Sequence, residues 1–205
     1  MTGETTPSTG APTRVGVLAL QGDVAEHLAA LREAGAGAVS AVRGPGVLAS
    51  LDGLVIPGGE STTIGRLMAE RGLHREIQTR VAQGMGVFGT CAGLILLAEQ
   101  VVGRGAPGLG LLPITVRRNA YGRQLDSFET HISAPSISPA ALPAVFIRAP
   151  WIEALGPGVE VLASHDGRCV LCRLGRVLGA SFHPELTGDR RLHRYFLSLL
   201  GPDAR

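Results

Sequence analysis

A three-layer α/β sandwich with a mostly parallel central sheet is the fold this sequence predicts, and three observations carry the prediction. Short, continuously apolar stretches alternate with helical stretches over the first half of the chain, the pattern of a doubly wound sheet. Two of the apolar stretches stop abruptly in small-residue turns, Pro57-Gly58-Gly59 and Gly89-Thr90-Cys91-Ala92-Gly93. The composition is globular: 45% of the 205 residues are hydrophobic and 18% are charged, so one core can be buried without disulfide staples.

The elements follow in order. Residues 1–13 are rich in Thr, Pro, Gly and Ser and lack an apolar run, which reads as a flexible leader and not as a secretory signal. Residues 14–205 read as a single domain. Val15–Leu20 is apolar throughout, as suits a strand buried on both faces. Asp23 is placed to cap a helix through about Glu33, with Val24, His27, Leu28 and Leu31 at helical spacing. Ala38–Val42 and Leu54–Ile56 are further strands. Ser61 is expected to cap a helix over Thr62–Arg71, and a second helix runs from Leu73 to about Gln83. Gly86–Gly89 is a strand that leads through the Cys91 turn into an apolar helix over Leu94–Gln100. The second half shows strand-like stretches at Leu111–Arg117, Ala144–Arg148, Val159–Ser164, Cys169–Arg173 and Val177–Phe182, and a last helix over Asp189–Leu200.

Charge and composition exclude several functions. The net charge is +2, and the 19 basic residues form no long run, so there is no electrostatic footprint for nucleic acid. All 19 are Arg. The absence of Lys removes Schiff-base, P-loop and kinase-type chemistry. Three cysteines suggest a reducing compartment, and no apolar run is long enough to span a membrane. The expected location is the cytoplasm.

The remaining chemistry centres on Cys91. A strand that runs directly into a helix through small residues makes a strained turn whose apex residue stands above the sheet. A thiol there meets the positive end of the helix dipole, which favours thiolate. His183-Pro184-Glu185 follows an apolar strand, and residues two apart in an extended segment point the same way. Glu185 is then placed to orient His183, with Pro184 keeping the pair extended, which gives a Cys-His-Glu triad of Cys91, His183 and Glu185. Gly58 and Gly59, at another strand end, allow the backbone to turn an amide toward a substrate. Gly59 N–H and Ala92 N–H are the candidate oxyanion donors. Cys169-Val170-Leu171-Cys172 lacks further ligands for zinc, and in a strand its thiols are expected on opposite faces, a packing role. Trp151 is open between pocket wall, partner contact and packing. On these residues alone a Cys-His hydrolase and a scaffold without turnover both stay open.

The chain resembles the glutaminase subunits of pyridoxal 5′-phosphate synthase, within the class I, triad-type glutamine amidotransferases. The resemblance runs from Val15 to about Phe196. It rests on Leu18-Ala19-Leu20-Gln21-Gly22, Pro57-Gly58-Gly59-Glu60-Ser61-Thr62-Thr63, Phe88-Gly89-Thr90-Cys91-Ala92-Gly93-Leu94, Arg118-Asn119 with Gly122-Arg123-Gln124, Asp126-Ser127-Phe128-Glu129, Phe146-Ile147-Arg148-Ala149-Pro150 and Ser181-Phe182-His183-Pro184-Glu185-Leu186-Thr187. It implies a class I amidotransferase fold and attack of Cys91 on the side-chain amide of L-glutamine, assisted by His183 and Glu185. It also implies glutamine contacts from Gly58, Gly59, Glu60, Ser61, Arg118, Ile147 and Arg148. An Arg suits the substrate α-carboxylate, and Glu60 is placed to face the α-ammonium. No metal or cofactor is implied. The partner implied is a lysine-bearing synthase barrel that receives the ammonia, with Gln21-Gly22 near the contact.

Overall fold

The structure, a computed structural model, describes residues 12–103, 108–118 and 127–201. Residues 1–11 of the expected leader, Asn119, Gly122-Arg123-Gln124 and Asp126 lie outside the described residues.

Four short strands form the centre of the large sheet: β1 (Arg14–Leu18), β3 (Gly53–Ile56), β4 (Gly86–Thr90) and, late in the chain, β12 (Val177–Ala180). All but Arg14 of these residues are buried, which is why the strands read as apolar runs and not as alternations. With β2 (Ala38–Val42), β10 (Glu160–His165) and β11 (Arg168–Leu174) they give the order β10-β11-β12-β4-β3-β1-β2. The pairings among β12, β4, β3, β1 and β2 are parallel, and β11 and β10 add antiparallel pairs at one edge.

Helices cover both faces. On one side α1 (Val24–Glu33) and α5 (Arg191–Ser198) place Leu31, Leu192 and Phe196 against Val15, Val55 and Phe88. On the other, α2 (Ser61–Glu70), α3 (Leu73–Ala82) and α4 (Ala92–Leu97) bring Ile64, Met68, Ile77 and Leu94 onto Leu54, Ile56 and Val87. Side chains thus alternate between the two cores along each strand. Two smaller sheets flank this sandwich. One joins β5 (Ala98–Val102), β6 (Leu112–Arg117) and β9 (Trp151–Leu155), and the other is the hairpin of β7 (Ser127–Ala134) and β8 (Ser138–Ile147).

Several expectations are corrected. The apolar helix after Cys91 ends at Leu97, and Ala98–Val102 pairs with β6 as a strand. Tertiary pairing overrides local helix propensity there. The strand expected at Ala144–Arg148 begins at Ser138 and includes Pro139 and Pro143. Proline removes a ladder donor, which hides a strand in sequence, but a two-stranded hairpin leaves each strand an outer edge where that donor is not needed. Ser61 is not the cap of α2: the cap is Glu60, whose carboxylate accepts from the amides of Thr62 and Thr63. Asp23 occupies the cap position of α1 but makes no capping bond, because its carboxylate is turned to His183. Finally, Cys169 and Cys172 lie on the same side of the sheet while Val170 and Leu171 lie on the other. The pairing of β11 with β10 shifts register there, and a bulge breaks the two-residue alternation. Both thiols are buried and unbridged. Cys169 and then burial push the Cys172 thiol up.

Candidate active site

The neighbouring strands β12, β4, β3 and β1 all point their carboxyl ends at one place, the crevice where open α/β sheets bind ligands. The end of β4 delivers Cys91. Its backbone is at φ 48° and ψ −100°, a conformation few residues other than glycine adopt. Its amide donates to the Ala180 carbonyl at 2.9 Å, which holds the turn to β12. The flanking glycines are steric requirements. A Cβ on Gly93 would stand 2.0 Å from the Ile56 carbonyl oxygen, and one on Gly89 would stand 2.6 Å from the Gly93 backbone.

The end of β12 delivers His183, whose amide donates to the Val145 carbonyl at 2.8 Å. Pro184–Leu186 form a single 3₁₀ turn, not the extended segment the sequence suggested. Proline suits the first position of such a turn as well as it suits extension. The expected contact is still made: His183 Nδ1 lies 2.7 Å from Glu185 Oε1. The same nitrogen lies 3.2 Å from Asp23 Oδ2. Nδ1 is therefore committed to carboxylates, and Nε2 is the nitrogen left for the thiol. Burial opposes the charged ring, but Asp23, Cys91 and Glu185 outweigh it and hold the His183 pKa up at about 12. Burial also opposes charge on Glu185, and the fields of His27 and His183 overcome it, holding the carboxyl well below its ordinary range.

Cys91 opens onto a cavity of about 120 Å³, lined by Gly59, Glu60, Ser61, Cys91, Ala92, Ile95, Arg118, Ile147 and Arg148. The Cys91 Sγ faces the Ile147 carbonyl at 3.8 Å. Most of the residues named from sequence thus converge on one small space. His183, Glu185 and Gly58 do not line it. Gly58 packs beside His183, where an added Cβ would meet His183 Cε1 at 2.3 Å and Asp23 Oδ2 at 2.8 Å. Arg148 has a positive φ of 43°, so two strained backbones border the cavity, a common mark of functional sites. Glu60 is engaged before any substrate arrives. It caps α2 and pairs with Arg118 Nη2 at 3.2 Å, while Arg118 Nη1 donates to Thr62 Oγ1 at 3.2 Å. Burial raises its pKa but the Thr63 and Thr62 hydrogen bonds prevail, taking it from 4.5 to about 2.

Sequence reading gave Asp23 and His27 only a cap and a helix position and missed their contacts with the site; they stand four residues apart, Asp23 at the cap of α1 and His27 within it. It also missed what Gln21 does: Gln21 Oε1 accepts from the Glu60 amide at 2.7 Å and so ties the β1 end to the glycine loop. A histidine on the buried face of an amphipathic helix was the available signal. Asp23, His183 and Glu185 bring three potential metal-ligand atoms within 4.8 Å. Those atoms are accounted for as one imidazole nitrogen between two acids. Trp151 does not line the Cys91 cavity. The Arg168 guanidinium stacks over its ring at 3.7 Å.

Known proteins similar to this chain include glutamine amidotransferases. The chain is 56% identical over 200 residues to the pyridoxal 5′-phosphate synthase subunit PdxT of Acidothermus cellulolyticus, covering 94% of this chain and 96% of that one. It is 58% identical over 189 residues to the PdxT of a Parafrankia species, covering 91% and 93%. A crystal structure of a glutamine amidotransferase superposes with TM-score 0.87 at 52% identity, covering 91% of this chain and 98% of that chain. The PurLQS structure from Thermotoga maritima, 16% identical with TM-score 0.70, shares the fold. Residues 17–200 match the SNO glutamine amidotransferase family, and the chain belongs to that family.

Proposed function

We propose that this chain is the glutaminase subunit of a pyridoxal 5′-phosphate synthase, hydrolysing L-glutamine to L-glutamate and ammonia for a partner synthase subunit. The single observation that carries the reading is the strained Cys91 at the carboxyl end of β4, facing a cavity beside the His183–Glu185 pair. The relatives named above support the choice of substrate and pathway.

In this reading Cys91 Sγ attacks the amide carbon of glutamine. The oxyanion that forms is stabilised by the amides of Gly59 and Ala92. His183 holds the proton and passes it to the departing nitrogen, so ammonia leaves and a glutamyl thioester remains. Water, with its proton taken by His183, then attacks the thioester and releases glutamate. Glu185 balances the imidazolium throughout. Arg118 takes the α-carboxylate, and Glu60, Ser61, Ile147 and Arg148 line the remaining contacts. Glu60 exchanges part of its pairing with Arg118 for the substrate α-ammonium.

The chain has no lysine, so the imine chemistry of building a pyridine ring belongs to the partner, a lysine-bearing barrel. We assign the contact to the β1 end. Gly22 lies so close to Gly58 that a Cβ would stand 1.7 Å from its carbonyl oxygen, and Gln21 holds the Glu60 amide. A partner pressing there reaches the glycine loop directly and switches on turnover. No described helix is long and apolar enough to cross a membrane. The cytoplasm suits the three unbridged thiols, and residues 14–205 form the catalytic unit.

The test is glutamate formation from glutamine by the full chain, alone and with the synthase partner, each beside Cys91→Ala. The expected result is activity that rises with partner and disappears in the variant. Equal activity with and without partner would remove the docking switch, and glutamate release by Cys91→Ala would remove the nucleophile.

A further inference from the structure

Behind the triad lies a second buried polar chain that the reaction as written does not use. His27 on α1 is fully buried. Its Nε2 lies 3.3 Å from Glu185 Oε2 and 3.0 Å from Thr90 Oγ1. Its Nδ1 lies 3.3 Å from Nε2 of His193 on α5, which is also fully buried.

We propose that His27 is a positioning residue of the glutaminase reaction, fixing Glu185 in place and tying it to the nucleophile turn through Thr90. The inference rests on the Cys91–His183–Glu185 reading. The geometry divides the carboxylate between two imidazoles: Oε1 faces His183 and Oε2 faces His27. The 3.3 Å approach is an ion-pair contact: among the described residues Oε2 has no hydrogen-bond partner, and the His27 imidazole is the group that faces it. A carboxylate hydrogen-bonded at one oxygen can swing about its last torsion, and a buried ring packed against the other oxygen limits that swing. Thr90 immediately precedes Cys91, so one ring touches both the acid and the side chain next to the nucleophile.

The electrostatics are consistent with this. His193 is driven toward its neutral form by burial and then by the field of His27, its pKa falling from 6.5 to about 3. Burial opposes charge on Glu185, and the field of His27 is the largest influence that overcomes it. The ionisable groups around Glu185 are His183 on its own segment, His27 and Asp23 from α1, Cys91 from the β4 turn, and His193 with Arg190 from α5. His27 therefore places a ring nitrogen on the side of the carboxylate opposite the reacting ring.

The experiment uses the full chain with its synthase partner and compares His27→Gln with His27→Asn. A glutamine amide nitrogen reaches the place of Nε2 and keeps a polar N–H beside Glu185 Oε2 and Thr90 Oγ1; an asparagine amide reaches the place of Nδ1 and does not. The expected result for H27N is a kcat lowered about 10- to 100-fold, as for outer-layer partners of other reactive groups, with KM little changed. Its acid limb of kcat/KM moves to higher pH, because Glu185 is easier to protonate without the His27 ring beside Oε2. H27Q is expected to recover most of the rate and the wild-type pH profile. Circular dichroism and a melt fix the folded fraction of each variant. The proposal is overturned if H27N matches wild type, or if both variants lose activity only in step with folded protein while the pH profile stays in place. Inactive wild-type complex removes the triad reading and this one together, whereas active wild type beside an equally active H27N removes this one alone.

Discussion

At the scale of single residues, the site is governed by how little room surrounds Cys91. The Gly93 position faces backbone, not a flexible side chain, so a methyl there has nowhere to go. Gly93→Ala is expected to cost about 1–3 kcal/mol or more by overpacking and to tilt the nucleophile. Gly44→Ala meets nothing within 4 Å and has an extended backbone at φ −162°, so it should leave stability unchanged. Denaturant midpoints of the two variants check this, and equal midpoints would refute the steric argument. Glu185→Gln keeps shape and removes charge. It is expected to reduce kcat about 10²–10⁴-fold, the usual weight of acid–base assistance, with labelling of Cys91 by a glutamine-shaped electrophile slowed in parallel. Unslowed labelling would mean that Glu185 acts only after acylation.

At the scale of elements, the start of α2 shows one carboxylate serving two purposes. Glu60 satisfies two orphan amides of the first turn and pairs with Arg118 across the cavity. Replacing it with Ala should cost about 1 kcal/mol of stability, typical of a lost cap, and should raise KM for glutamine with little change in kcat. Because its folded pKa lies below its unfolded value, the contribution of Glu60 is present above pH 4.5 and is lost as pH falls toward about 2. A melt series over that range should therefore show less acid sensitivity in Glu60→Ala than in wild type. Sequence misreads or misses β5, β7, β8 and β9 for one reason: each is fixed by pairing with a neighbouring strand, and pairing is not written in local periodicity.

At the scale of the molecule, buried histidines make stability depend on pH in opposite senses. His193 refuses a proton that the unfolded chain accepts, so the fold weakens as pH drops from 6.5 toward about 3. His183 binds its proton more tightly when folded, so its contribution is complete below 6.5 and disappears as pH rises through about 12. Thermal midpoints of wild type and His193→Leu between about pH 7 and about pH 4 test the first effect through its linkage slope. The variant should lose fewer degrees, and parallel curves would show that His193 does not set the acid limit. Both histidines lie where α1, α5, β4 and β12 meet, so the packing that buries the core also tunes the site.

Sequence alone determined the sandwich, because strands buried on both faces must be apolar throughout. It determined the Cys91 turn, because only small residues fit that strand-to-helix junction. It named the His183–Glu185 pair, and the contact survives the single 3₁₀ turn because His183 stays outside that turn, at φ −108° and ψ 86°. Only the tertiary structure decided that Asp23 faces His183 instead of capping its helix, that Glu60 takes the cap expected of Ser61, and that His27 reaches Glu185 and Thr90. Those contacts span from 63 to 160 positions or, at Glu60, lie between competing partners of one carboxylate. A local pattern names which groups can bond. The packed fold sets which partner is nearest, and a buried polar group takes the partner it is packed against.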